Sequence, residues 1–189
     1  RIAAMLLLTL RGTPTIYYGE ELGLMDVAIP PDAVQDPVEI IDPGKGFGRD
    51  PGRAPMIWDD SDGAGFTKAK PWLPIEPNFK ALNVAKQSKD PSSMLALYRA
   101  LLQLRRSTPA LSIGTIKVIE ATPTVLAYKR SLAGKSVFVA LNFSPKTETV
   151  KLPSRSGRIL LSTLLDQKPE KLGKSLTLRP NEGVIVDAF

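Results

Sequence analysis

The 189-residue sequence predicts an α+β chain in two parts. Residues 1–108 mix helix, a short β-prone segment and a long loop. Residues 109–189 are all antiparallel β. Three observations carry this reading. An apolar helix stops at Gly12-Thr13-Pro14 and runs into a short β-prone segment. A well-signalled amphipathic helix fills the stretch before Pro109. After Pro109 the apolar period falls from about 3.6 to 2, the change that separates helix from strand.

Taken in order, the run from Ile2 to Leu10 is apolar on all sides, as in a helix buried nearly all round. It is too short to span a bilayer, which takes about 20 residues. It also lacks a signal peptide's flanking features, because Arg11-Gly12-Thr13-Pro14 follows it and is a helix stop. A chain opening inside such a helix, at Arg1, reads as a piece of a longer protein. Thr15-Ile16-Tyr17-Tyr18 reads as a buried strand, which would put the two tyrosines on opposite faces. Residues 19–90 carry most of the Pro, Gly and Asp and read as a long loop broken by short helical turns, one near Asn78 to Lys89. Loops of this length are usually functional. Asp90-Pro91 supplies an N-cap and a first-turn proline, and Met94, Leu95, Leu97, Tyr98, Leu101, Leu102 and Leu104 follow at helical spacing. Seven strands are expected: 114–119, 125–130, 136–142, 148–152, 157–162, 175–178 and 183–188. Turn signals such as Ala133-Gly134-Lys135 and Ser144-Pro145-Lys146 separate them, a spacing that fits a β-sandwich.

Composition removes whole classes of chemistry. There is no Cys and no His, which excludes disulfides, Cys or His metal sites and His-dependent triads. The absence of Cys is compatible with a reducing compartment, and a cytoplasmic location is the expectation. The net charge of +6 is uneven. Residues 1–90 hold 10 basic and 13 acidic residues, net −3, and residues 91–189 hold 15 and 6, net +9. The basic residues are scattered singly among alternating apolar positions with few aromatics beside them. They read as a solvated face, and neither a nucleic-acid nor a membrane partner is expected. Asp59-Asp60-Ser61-Asp62-Gly63 fails the alternation of a calcium loop, because Trp58 stands where the first ligand would be. It reads as a surface turn, and no metal or cofactor is expected.

Two motifs are more specific. Gly12-Thr13-Pro14-Thr15-Ile16-Tyr17-Tyr18-Gly19-Glu20-Glu21-Leu22-Gly23-Leu24 resembles the last barrel strand of the α-amylase superfamily, glycoside hydrolase family thirteen. Gly48-Arg49-Asp50-Pro51-Gly52-Arg53-Ala54-Pro55-Met56-Ile57-Trp58-Asp59 resembles the arginine-and-tryptophan block that follows that strand in α-glucosidases and oligo-1,6-glucosidases. Gly65-Phe66-Thr67 and Pro71-Trp72-Leu73-Pro74 continue the pattern. Ala54 and Ile57 depart from it, standing where Thr and Gln are more usual. The resemblance covers essentially the whole chain. It implies the last β/α unit of a (β/α)8 TIM barrel over residues 1–108, followed by the β-sandwich C-terminal domain over 109–189.

The resemblance further implies an enzyme acting on short α-glucosides by a retaining mechanism. The family's three catalytic carboxylates lie on strands before Arg1, so no catalytic residue is assigned here and this stretch is expected to be inactive alone. Glu20 and Glu21 are a tempting pair, but on an extended segment they would point to opposite faces, and the family uses them as supports and loop anchors. Substrate binding is expected at Arg49, Asp50 and Arg53, because a guanidinium bridges carboxylates or sugar hydroxyls with fixed geometry. An internal Arg49–Asp50 ion pair that only shapes the loop is the competing reading. Trp58 and Trp72 offer faces for sugar stacking but on a Pro-rich loop read first as core plugs, and packing is the first reading for Tyr17 and Tyr18. Alternative functions are a non-catalytic family member like the transporter heavy chains, or a stand-alone carbohydrate-binding module. Residues 1–90, with apolar faces left uncovered, are expected to be partly mobile or to self-associate.

Overall fold

The computed structural model describes residues 1–153, 157–166 and 171–188. Its helices are α1 (Ile2–Thr9), α2 (Pro37–Ile41), α3 (Val84–Gln87), α4 (Met94–Ser107) and α5 (Pro109–Ser112). Its strands are β1 (Thr115–Ala121), β2 (Val125–Leu132), β3 (Lys135–Asn142), β4 (Glu148–Lys151), β5 (Gly157–Ser162), β6 (Lys171–Leu172), β7 (Ser175–Leu178) and β8 (Gly183–Ala188). Two compact units are present, one of residues 1–15 and 96–189, the other of residues 16–95.

In the first unit every strand pair is antiparallel. Six strands form one sheet in the order β1-β2-β3-β8-β5-β6, and β4 and β7 form a second. Alternation along the strands gives each face its own partner. Val125, Ala127, Phe138, Ala140, Val184 and Val186 point one way and share a core with Val150, Leu176 and Leu178 of the small sheet. Val137, Val139, Leu141 and Ile185, at the intervening positions, are buried as well, on the face met by α1 and α5. Coverage on both sides is why β3 reads as a nearly continuous apolar run rather than a strict alternation. The β2–β3 hairpin turns on two residues, Ala133 (φ 48°) and Gly134 (φ 79°). Two successive positive φ values are what a tight right-twisting hairpin needs, and glycine supplies one without strain.

The carboxyl end of α1 is held by two buried arginines. Arg105 Nη1 donates to the carbonyls of Leu8 and Leu10 at 2.8 and 3.1 Å, and its Nη2 donates to Gly12 at 2.6 Å. Arg130, fully buried in β2, donates to the carbonyls of Thr9, Gly114 and Thr115. The last turn of a helix leaves carbonyls without intrahelical partners and carries partial negative charge, so a guanidinium satisfies both needs.

Three sequence expectations are corrected here. Residues 109–189 are not all β: Pro109–Ser112 form the short helix α5, with the proline at its first turn. Residues 15–18 are not a strand. No described segment forms a ladder with them, and a strand exists only by pairing. The helix before Pro109 begins at Met94 and not at Pro91. The Asp90 carboxylate accepts from the amide and hydroxyl of Ser92 at 2.8 and 2.7 Å, making a local turn that delays the helix.

In the second unit, Leu22, Ile57, Ala64 and Leu95 are buried together, with Leu24, Met56, Ile75, Phe79, Leu82 and Val84 packed around them. Gln87 ties this core internally: its Nε2 donates to the Leu22 carbonyl at 2.8 Å and its Oε1 accepts from the Leu95 amide at 3.0 Å. The helical turn expected near Asn78 to Lys89 is α3, capped by Asn83. No helix among the described residues is long and apolar enough to cross a membrane.

Candidate substrate-binding loop

The arginine block folds as a short 3-10 turn, Asp50–Arg53, pinned by carboxylates at its start. Asp50 Oδ2 accepts the backbone amides of Gln35 and Asp36, both at 2.7 Å. Its other oxygen receives Arg53 Nη1 at 2.9 Å. Asp36 is fully buried. It caps α2 by accepting from the Val38 amide at 2.9 Å and receives Arg49 Nε at 2.9 Å. Arg53 Nη2 lies 3.5 Å from the same Asp36 oxygen. Two carboxylates and two guanidiniums therefore form one network across residues 36–53.

All three expected substrate-binding residues, Arg49, Asp50 and Arg53, fall in this network. The Arg49–Asp50 pair of the competing reading does not form. Arg49 pairs with Asp36 and Arg53 with Asp50, because Asp50 spends one oxygen on two loop amides. Asp36 was missed in the sequence, although Asp36-Pro37 carries the signal of an N-cap residue before a first-turn proline.

The network is ionised. The Val38 amide and then the Arg49 guanidinium hold the Asp36 carboxyl below the ordinary aspartate range, against burial. Burial pushes Asp50 upward, but the amides of Gln35 and Asp36 together with Arg53 outweigh it and leave it lowered. Two saturated, ionised carboxylates can accept hydrogen bonds but have no proton to give, so they are unfit as a general acid. The Arg49 side chain stays 67% exposed, with Nε anchored and the rest of the planar fork open to solvent. Asp50 also lines a cavity of about 470 Å³ with Val27, Ala28, Ile29 and Glu39.

Other expectations are revised. Glu20 and Glu21 sit in a 3-10 turn, Glu20–Leu22, and not on an extended segment. Glu21 Oε2 accepts the Gly19 amide at 2.8 Å, which makes it a turn anchor. Tyr17 and Tyr18 do not diverge: without a ladder to impose alternation, their ring centres lie 5.0 Å apart and both line one cavity. Trp58 and Trp72 are not core plugs. They are 49% and 45% exposed, and the Trp72 indole N–H is fixed by the Ala33 carbonyl at 2.8 Å. Asp59 closes its own turn by accepting the Ser61 amide at 2.9 Å.

Residues 1–114 match the family model described as alpha amylase, catalytic domain, and residues 125–185 match that of the alpha-amylase SusG C-terminal domain. The oligo-1,6-glucosidase of Parageobacillus thermoglucosidasius is 35% identical over 96% of this chain and 36% of its own length. A probable alpha-glucosidase of Rhizobium meliloti is 37% identical over 89% of this chain and 31% of its own length. The crystal structure of the trehalulose synthase MutB from Pseudomonas mesoacidophila MX-45 superposes with a TM-score of 0.86 at 33% identity, over 98% of this chain and 37% of that one. The chain thus spans about a third of the length of the relatives it matches.

Proposed function

The chain belongs to the alpha-amylase family, and from that premise we propose that it is the C-terminal part of an α-glucosidase-like glycoside hydrolase acting on short α-glucosides. On this reading residues 1–108 are the C-terminal end of the catalytic (β/α)8 barrel, whose strand at 15–18 would pair only with the barrel's other strands, and 109–189 are the C-terminal β domain. Retaining hydrolysis needs two carboxyl groups about 5–5.5 Å apart, one ionised and one protonated. This chain does not supply them and is inactive alone. It contributes the substrate-binding rim: Arg49 presents its fork to sugar hydroxyls, while Asp50 and Arg53 hold the turn beneath it. Its partner is the α-glucoside oligosaccharide, and the isolated chain self-associates through the apolar side chains it leaves exposed.

The observation that carries this reading is the 36–53 network, which fixes Arg49 at one nitrogen and leaves the rest of its fork accessible. The test joins this chain to the N-terminal two-thirds of its oligo-1,6-glucosidase relative. In that hybrid, Arg49→Ala raises KM for isomaltose about tenfold with a smaller change in kcat, the signature of lost substrate binding. An unchanged KM would remove Arg49 from the site.

A further inference from the structure

A further cavity, of about 350 Å³, lies within the unit of residues 16–95 and is walled by Pro30, Asp32, Ala33 and the run 70–75. Its size falls in the range of small-ligand sites, roughly 300–1,000 Å³. None of Asp36, Arg49, Asp50 and Arg53 lines it. Trp72 stands in its wall as a rigid plate. Pro71 and Pro74 fix the backbone angle φ on either side, and Leu73, at 2% exposed, anchors the segment in the core. The indole N–H donates to the Ala33 carbonyl at 2.8 Å, which fixes the ring plane. Trp72 nevertheless stays 45% exposed. The one polar atom of its side chain is spent, so what it offers the cavity is carbon surface.

Two charged side chains share the cavity, Asp32 and Lys70. Both are exposed, and neither side chain has a hydrogen bond or ion pair to another described residue. The carboxylate only accepts and the ammonium only donates. Their charges cancel, so a simple anion or cation is repelled by one as it is drawn by the other. A hydroxyl both donates and accepts and can serve either. The lining therefore fits a neutral ring with an apolar face and a hydroxyl edge. A pyranose has that form: its C–H hydrogens meet the negative face of the indole, and its hydroxyls reach Asp32 and Lys70.

We propose that this cavity binds one pyranose ring of a neutral oligosaccharide, stacked on Trp72 and held at its edge by Asp32 and Lys70. The plate is fixed before the sugar arrives, so stacking costs little side-chain freedom. With one carboxyl group in its lining, the cavity holds the sugar and does not cut it.

The test titrates the 189-residue chain with isomaltotriose and reads binding by saturation-transfer NMR of the ligand. Sorbitol, which has the hydroxyls but no ring, and phenylalanine, a zwitterion with a flat face, are run beside it. Saturable binding of isomaltotriose is expected, at least about tenfold tighter than that of either comparison. Trp72→Ala removes the plate and weakens it about tenfold. The double variant Asp32→Ala/Lys70→Ala, at two exposed side chains, weakens it about threefold and decides the matter should Trp72→Ala fail to fold. Full binding by either variant, equal binding of sorbitol, tighter binding of phenylalanine, or no binding of isomaltotriose would overturn the proposal. Binding lost in Arg49→Ala but kept in Trp72→Ala would place the sugar on the Arg49 rim, overturning this proposal and leaving the rim standing.

Discussion

Asp36 and Asp50 keep their charge by different means, and this has a measurable consequence. Amides and a guanidinium hold Asp36 low despite its burial, while Asp50 is pushed up by burial and pulled down further by its donors. Both folded values lie below the ordinary aspartate value of about 3.9. Their contribution to stability is therefore complete above that value and lost as pH falls toward the lower folded values. The chain's two tryptophans, Trp58 and Trp72, both lie in the unit of residues 16–95 and report on it. Their fluorescence should hold steady down to about pH 4 and change below it, and Asp36→Asn should change it at higher pH. Acid transitions identical in the two proteins would mean that Asp36 carries no stabilising charge. At this scale the sequence was half legible. Arg49, Asp50 and Arg53 stood out as charges on a loop, but their pairing depended on Asp50 meeting amides 14 and 15 residues away, which no local pattern encodes.

α1 shows what elements demand of each other. It has no basic residue in its own last turn, and its end is satisfied from β2 and α4 by Arg130 and Arg105. Burial pushes both guanidiniums below the ordinary arginine value, yet both remain cations. Tyr128, beside them on β2, is pushed up to about 12 by burial, against the opposing effects of its 2.5 Å contact with Thr9 and of the Arg130 charge. Replacing Arg130 with Met leaves carbonyls of Thr9, Gly114 and Thr115 without their donor, at an expected cost of about 3 kcal/mol, read as a lower urea midpoint. The junction between α5 and β1 is equally exacting. A Cβ on Gly114 would lie 2.3 Å from the Ala110 carbonyl oxygen and 2.7 Å from that of Ser131. Both are backbone atoms that cannot swing aside, so Gly114→Ala should destabilise by about 2 kcal/mol or more, and a wild-type midpoint would contradict the packing described. Seven of the eight described strands after Pro109 were readable within a few residues because period-2 alternation and turn residues are local signals, whereas β6, only Lys171–Leu172, is too short to show a period. Thr15–Tyr18 was misread because β-propensity reports fitness for a sheet and not whether a partner strand is present.

Across the whole chain, two cores of different make-up are built. The unit of residues 1–15 and 96–189 buries both faces of its central strands. The unit of residues 16–95 is mostly loop around a small cluster and leaves Met25, Ile40, Ile41 and Phe47 between 60% and 81% exposed. Apolar side chains exposed to that degree promote association, so sedimentation of the isolated chain should show concentration-dependent oligomers, reduced when Ile41 is replaced by Lys. A strict monomer at all concentrations would remove self-association from the account. The central proposal is that this chain, a member of the alpha-amylase family, shapes substrate binding without carrying the acid and nucleophile. It is tested most directly by assaying p-nitrophenyl α-glucoside hydrolysis by the 189-residue chain alone and by the hybrid with its relative's N-terminal two-thirds. The account predicts turnover by the hybrid and none by the chain. Turnover by the chain alone would contradict it and return Glu20, Asp50 and Asp59 to consideration as catalysts.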